Sequence, residues 1–240
     1  MTQPSLIFRA LNVIRIGFQF HGIWLPFVLL QRLWVYSIRK LFASQTFVFA
    51  DKKHRYVIHP FTLNNERTVE IAIATEFICG KSGEILEVGN VLSNYCSFSH
   101  DVVDKYELTP GVINEDIVSF APPQKYDAIV TISTLEHVGW DETPRTPEKI
   151  LQAIEHLKNL LADGGELLAT MPIGYNCYLD QIIREKRTGF AGVKFLVRTT
   201  EDNQWREAGL EEAMTKQFGK PYSCANAIMV GTFRSPRRPV

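Results

Sequence analysis

A chain of 240 residues with 45% hydrophobic and 22% charged side chains can build one large folded domain and lacks the composition of a disordered segment. Its 26 basic and 26 acidic residues cancel, which excludes the overall positive field of polynucleotide binders, so no nucleic-acid partner is expected. Cys79, Cys96, Cys177 and Cys224 include no Cys-x-x-Cys pair, and the six histidines share no ligand spacing. The thiols read as reduced cysteines of a cytoplasmic protein, with no disulfide frame and no metal site.

Residues 1–45 form an apolar and basic segment, rich in Phe, Leu, Ile and Trp, with Arg9, Arg15, Arg32, Arg39 and Lys40 at intervals and no acid. The uncharged stretch from Ile16 to Gln31 contains Gln19, His21 and Pro26, and falls short of the roughly 20 apolar residues a membrane-spanning helix needs. Two readings stay open. One is an interfacial helix, peripheral at the inner face of a membrane, with Trp24, Phe27, Leu30 and Trp34 toward lipid. The other is a helical lid over the substrate side of the domain, or a subunit contact.

Residues 46–63 read as a hairpin-like lead-in, with Thr46–Ala50 and Arg55–His59 flanking the polar run Asp51–His54. Residues 64–233 form the main domain and 234–240 a flexible Pro/Arg tail. Helical spacing predicts a helix over Thr68–Cys79, capped by Asn64 or Asn65 and closed by Gly80 and Gly83. Apolar runs then predict strands at 84–90, at Val102-Val103 before Asp104, at Val112-Ile113 before Asp116, and at 126–133. Pro147 opens a helix that continues to Leu161, and Asp163-Gly164-Gly165 returns the chain to a strand ending at Met171-Pro172. A helix over Leu179–Arg187, a strand over Lys194–Thr199, a helix over Asn203–Gln217 and a strand over Ala227–Phe233 complete the order. Strands alternating with helices imply a doubly wound, mainly parallel sheet.

The chemistry gathers where strands end. Glu87-Val88-Gly89-Asn90 places an acid and a glycine just past the first core strand, where backbone approaches a ligand closely. Asp104 and Asp116 end the next two strands, and Ser133-Thr134-Leu135-Glu136-His137-Val138 follows the fourth. This ordered set resembles the class I S-adenosylmethionine-dependent methyltransferases over about residues 66 to 233. It is most similar to a subset carrying Asn65-Glu66-Arg67, Asp104-Lys105-Tyr106-Glu107 and Glu136-His137-Val138-Gly139-Trp140-Asp141-Glu142.

The resemblance implies an α/β, Rossmann-like, seven-stranded sheet with helices on both faces and one antiparallel strand near the edge. It implies S-adenosyl-L-methionine as cofactor, with Glu87, Gly89 and Asn90 in the cofactor loop, Asp104 on the ribose hydroxyls and Asp116 beside the adenine. Ser133, Thr134 and Glu136 would complete the wall. His137 is the candidate base, since its intrinsic pKa lies near neutrality, with Asp141 as a second catalytic candidate. Trp140, Tyr175 and Asn176 are the candidate contacts to the acceptor, a small molecule or a glycan or lipid precursor methylated on oxygen or nitrogen. Structural roles compete for each: a loop hydrogen bond for His137, a cap for Asp116 and Asp141, packing for Trp140. Where that family shows Gly-x-Gly-x-Gly, this chain has Gly89-Asn90-Val91-Leu92-Ser93. The departure opens an alternative, a catalytically inactive methyltransferase-like scaffold or a membrane-associated interaction protein.

Overall fold

The computed structural model describes residues 46–59, 61–97 and 99–237, and Pro26, Phe27, Leu30, Trp34 and Ser37 of the amino-terminal segment. Those five are helical, and Phe27, Leu30 and Trp34 are exposed. The expected anchor or lid over residues 1–45 otherwise lies outside the described residues.

Two short strands, β1 (Thr46–Phe49) and β2 (Lys52–Arg55), pair antiparallel from Thr46↔Arg55 to Phe49↔Lys52. The turn is the two residues Ala50 and Asp51, both at positive φ (51° and 61°), the conformation that matches strand twist in a two-residue hairpin. This corrects the expected loop over Asp51–His54. The polar residues Lys52, Lys53 and Arg55 face solvent, while His54 turns inward and stacks on Phe47.

Helix α1 (Arg67–Ile78) follows, with no side chain capping its first turn, so neither Asn64 nor Asn65 has the expected role. The main sheet comprises β3 (Ile85–Val88), β4 (Asp101–Val103), β5 (Val112–Ile113), β6 (Tyr126–Ile132), β7 (Leu161–Pro172), β8 (Gly192–Arg198), β9 (Trp205–Ala208) and β10 (Ala227–Arg234). Helices α2 (Lys149–Leu160), α3 (Cys177–Arg184) and α4 (Leu210–Ala213) intervene. Strand order is β5-β4-β3-β6-β7-β10-β8-β9: the first five run parallel, and β10 lies antiparallel between β7 and β8.

This is the doubly wound Rossmann-like sheet expected, with one strand more than the seven. The extra strand, β9, comes from the segment expected to be helical over Asn203–Gln217. Asn203 takes a left-handed conformation (φ 66°) and accepts the indole Nε1–H of Trp205 at 2.7 Å. The Trp205 N–H donates to Tyr56 Oη at 2.8 Å, and Ala208 pairs with Phe195. Trp205 is thereby buried beside the hairpin, and Gly209 separates the strand from the single turn of α4.

Alternation along the strands divides the core in two. Ile129 and Leu167 point toward Ile150, Ile154 and Leu157 of α2 and Leu179 and Ile182 of α3. Val130, Ile132 and Leu168 point toward Val69 and Ile73 of α1. Each such side chain, fully buried, contributes about 1.5–3 kcal/mol, which holds the carboxyl ends of β3, β4 and β6 in fixed relation. The crossover from β3 to β4 carries only a 3-10 turn, Leu92–Asn94, in place of a full helix. Strand β10 runs to Arg234, and the Ser235 N–H still bonds the Gly165 carbonyl, so the sheet pairing continues into the expected tail.

Candidate functional site

Gly89, the first residue past β3, sits at φ 83°, and a Cβ there would lie 2.2 Å from Thr134 Oγ1. Only glycine lets the ends of β3 and β6 meet this closely. The loop beyond it is shaped by Glu87, which is fully buried. Its Oε1 accepts the Val91 N–H at 2.8 Å and the Leu92 N–H at 2.6 Å, while Oε2 meets His100 Nε2 at 2.7 Å. Leu92 is carried into the core beneath α1, and Val91 edges the cavity. A carboxylate anchored to two backbone amides thus bends a loop that lacks two of the family's glycines. Glu87 is turned into this loop and is not among the residues that line the cavity.

Asp104 ends β4 and ties the same corner. Its Oδ1 accepts the Tyr106 and Glu107 N–H groups at 2.9 and 3.0 Å, and Oδ2 accepts the Asn90 N–H at 3.3 Å. Asn90 Nδ2 donates to Glu107 Oε1 at 2.7 Å. Asp116 is committed differently: Lys105 Nζ lies 2.9 Å and Lys149 Nζ 2.5 Å from its Oδ2, and both ammoniums also reach Glu142 Oε2, at 3.1 and 2.6 Å. Burial works to raise the Asp116 carboxyl, but the two lysines outweigh it and hold the group down at about 2. Asp116, which lines the cavity, is thus part of a four-charge latch joining the loops after β4, β5 and β6 to α2.

At the end of β6 the chain turns sharply, with Ser133 at φ 38°. Two residues that the sequence reading did not single out for the site hold this turn. Arg67 Nη1 donates to the Ile132 carbonyl at 2.9 Å and to Glu70 Oε2 at 3.0 Å, and Ser133 Oγ donates to Glu70 Oε1 at 2.6 Å. The signal was an Arg and a Glu three apart at the start of a helix rich in Val, Ile and Ala, where burial demands a partner. Burial raises the Glu70 carboxyl against the opposing pull of Arg67.

Beyond the turn, Glu136 is buried behind His137, its Oε1 3.6 Å from His137 Nε2 and its Oε2 without a hydrogen-bond partner among the described residues. Burial lifts its pKa well above the ordinary carboxyl value, and Glu70 and Glu66 push the same way against Arg67. Glu136 is not among the residues that line the cavity. His137 Nδ1 lies 2.5 Å from Asp141 Oδ2, and the same oxygen accepts the Tyr175 hydroxyl at 2.6 Å. A carboxylate only accepts, so Nδ1 carries the hydrogen of this bond, and in the neutral imidazole the lone pair is then on Nε2. Burial and then Asp141 push the Tyr175 phenol up to about 12; burial opposes ionisation of Asp141, but Tyr175 and His137 overcome it and lower its pKa.

Asn176 caps α3 by accepting the Tyr178 and Leu179 N–H groups at 3.0 Å, and its Nδ2 donates to the Glu136 carbonyl at 2.8 Å. Trp140 packs under the Arg145 guanidinium, 4.2 Å from the ring centre. Neither lines the cavity, because each is spent on fixing the loop. The expected residues that do converge are Gly89, Asn90, Asp104, Asp116, Ser133, Thr134, His137 and Asp141, around a cavity of about 290 Å³ at the carboxyl ends of β3, β4 and β6. That is where ligands bind in open α/β sheets. Among the described residues, no three His, Cys, Asp or Glu side chains converge to hold a metal ion, and no helix is long and apolar enough to cross a membrane.

No protein-family model and no curated protein matches the chain. Among solved structures it is similar to the N-methyltransferase NodS from Bradyrhizobium japonicum WM9 in complex with S-adenosyl-L-homocysteine, at 14% identity and a TM-score of 0.40 over 69% of this chain and 83% of that one. It is similar to a SAM-dependent methyltransferase from Archaeoglobus fulgidus at 13% identity and a TM-score of 0.43, over 71% of this chain and 95% of that one. The glycopeptide N-methyltransferase MtfA complexed with S-adenosyl-L-methionine gives 13% identity and a TM-score of 0.40, over 69% and 87%.

Proposed function

We propose that the protein is an S-adenosyl-L-methionine-dependent methyltransferase acting on a small molecule or a glycan or lipid precursor. The observation that carries this reading is the cavity at the switch point of the sheet, with Gly89, Asn90 and Asp104 on one wall and Thr134, His137 and Asp141 on the other. A nucleoside cofactor fits the residues present. Leu92 is drawn into the core and leaves the hollow open, Gly89 keeps backbone close, and Asp104 Oδ2 is engaged among the described residues by one long bond from Asn90. Asp104 would hold the ribose hydroxyls by charge-assisted hydrogen bonds, and the loop 89–91 the amino-acid portion.

The cofactor supplies a methyl group on a sulfonium, displaced by an acceptor lone pair while the C–S pair stays on sulfur. The chain's part is position and proton removal. His137, oriented through Nδ1 by Asp141, presents Nε2 as the base, and Tyr175 steadies Asp141. Residues 1–45, through exposed Phe27, Leu30 and Trp34, supply peripheral contact with a membrane on its cytoplasmic side.

Calorimetry with S-adenosylmethionine and S-adenosylhomocysteine tests the reading. Micromolar binding to the wild-type chain is expected, weakened in Asp104→Ala; a folded chain that binds neither at millimolar concentration removes it. That outcome would favour a non-catalytic scaffold, a second reading that rests on Val91 occupying the cavity edge where the family places glycine.

A further inference from the structure

Charge is segregated along this chain. Five of its 26 cations, Arg9, Arg15, Arg32, Arg39 and Lys40, and none of its 26 acids fall in residues 1–45. Residues 46–240 therefore hold 21 cations against 26 acids, a net of −5, and the chain is neutral only as a sum. The structure adds an independent feature to the same segment. Phe27, Leu30 and Trp34 are helical, and spacings of three and four residues put them on one helix face. They stand 65%, 64% and 66% exposed. In α1 and α2 the corresponding apolar positions, Val69 and Ile73 or Ile150, Ile154 and Leu157, are buried against the sheet. No other helix among the described residues turns a large apolar side chain outward in this way.

We infer that this face docks on a bilayer containing anionic phospholipid, with the cations of the segment supplying the attraction and Phe27, Leu30 and Trp34 entering the headgroup boundary. Neither part suffices alone. A small apolar element gives only marginal, reversible membrane contact, and lasting attachment takes a second, basic signal. Each Lys or Arg close to an anionic surface tightens the contact about fivefold, so five of them dominate the choice of lipid. A neutral bilayer would leave those cations unanswered. A second copy of this chain would bring the same five cations together across the contact, which opposes pairing through this face. The acidic remainder of the chain is repelled by an anionic surface, which confines the contact to the amino-terminal segment.

This lipid chemistry deepens the peripheral contact of the proposed function and rests on it. Co-sedimentation of the full chain, with no cofactor present, compares vesicles of phosphatidylcholine with vesicles of phosphatidylcholine and phosphatidylglycerol at low and high sodium chloride. Partitioning at least about tenfold stronger onto the mixed vesicles is expected, with most of that gain removed by salt. Arg32→Gln/Arg39→Gln/Lys40→Gln should lose the preference for the mixed vesicles, and Leu30→Ser/Trp34→Ser should weaken partitioning onto both, each variant keeping the wild-type Tm. The comparison of lipids and of salt on the wild type decides the matter even where a variant fails to fold. Equal partitioning onto both vesicles, or a preference that salt does not touch, overturns the anionic assignment and leaves peripheral contact standing. No partitioning onto either overturns both, and self-association that Leu30→Ser/Trp34→Ser abolishes would give the face to a second copy instead. Binding of S-adenosylhomocysteine, measured separately by calorimetry, decides the methyltransferase reading whatever the vesicles show.

Discussion

Glu87→Gln tests whether the acid after β3 shapes the loop or touches the ligand. The carboxylate accepts two backbone N–H groups on one oxygen and meets His100 on the other, with no exposed surface. Hydrogen bonds to charged groups contribute about 1.5–3 kcal/mol and neutral ones about 0.5–1.5, so glutamine, which keeps an acceptor oxygen in the same place, loses roughly 1 kcal/mol at each amide. With its oxygen held at the two amides, the glutamine turns its NH2 toward His100, a donor that is matched when His100 Nε2 is the unprotonated nitrogen. The expected loss is therefore about 2 kcal/mol, read as a Tm lowered by about 4–8 °C for a chain of this size. Differential scanning calorimetry measures the Tm, and titration with S-adenosylhomocysteine on the still-folded variant measures the site. Loop shaping predicts the stability loss with binding reduced only modestly. An unchanged Tm with binding abolished would refute the reasoning and return Glu87 to the ligand.

Asp104→Asn keeps the acceptor of the turn at Tyr106 and Glu107 but removes the charge, and is expected to weaken S-adenosylhomocysteine about 10- to 100-fold by calorimetry, for one charge-assisted bond of about 1.5–3 kcal/mol. Asp116, held at about 2 against an ordinary 3.8, contributes stability that is complete above the ordinary value and is lost as pH falls toward 2. Urea unfolding from pH 5 to 2 should show a shallower acid loss in Asp116→Asn than in the wild type. Glu136 has the opposite sign. Its folded value is raised, so the neutral form is favoured and stability falls as pH rises. Glu136→Gln should gain on the wild type in thermal melts between pH 5 and 8, and parallel curves would contradict the buried, unpartnered carboxyl. Asp141→Asn should bring the Tyr175 phenol down from about 12, followed by tyrosinate absorbance with Tyr175→Phe as the blank.

Strand periodicity and the acids at strand ends made the parallel half of the sheet and much of the polar side of the cavity legible in the sequence. Gly89, Asp104, Thr134 and His137 lie together because β3, β4 and β6 are adjacent, and that adjacency follows from the order of elements. What was not legible depends on long-range partners. Trp205 reads as one residue of a helix until Tyr56 accepts its position 149 residues away in sequence. The commitment of Asp116 depends on Lys149, 33 residues on, and the inward turn of Glu87 on the amides of a loop whose missing glycines suggested a defect. Arg67, read only as part of the Asn65-Glu66-Arg67 string, and Glu70 had no legible role because an ion pair on a helix is ordinarily a solvated surface feature, whereas here it clamps the end of β6.

A crystal structure of the full chain grown with S-adenosylhomocysteine tests the cofactor site most directly. The expected result is the nucleoside beside Gly89, with the ribose hydroxyls on Asp104 and the sulfur directed toward His137 and Asp141. A chain saturated with that ligand whose density lies elsewhere, with Asp104 bonded only to its own loop, would contradict this placement.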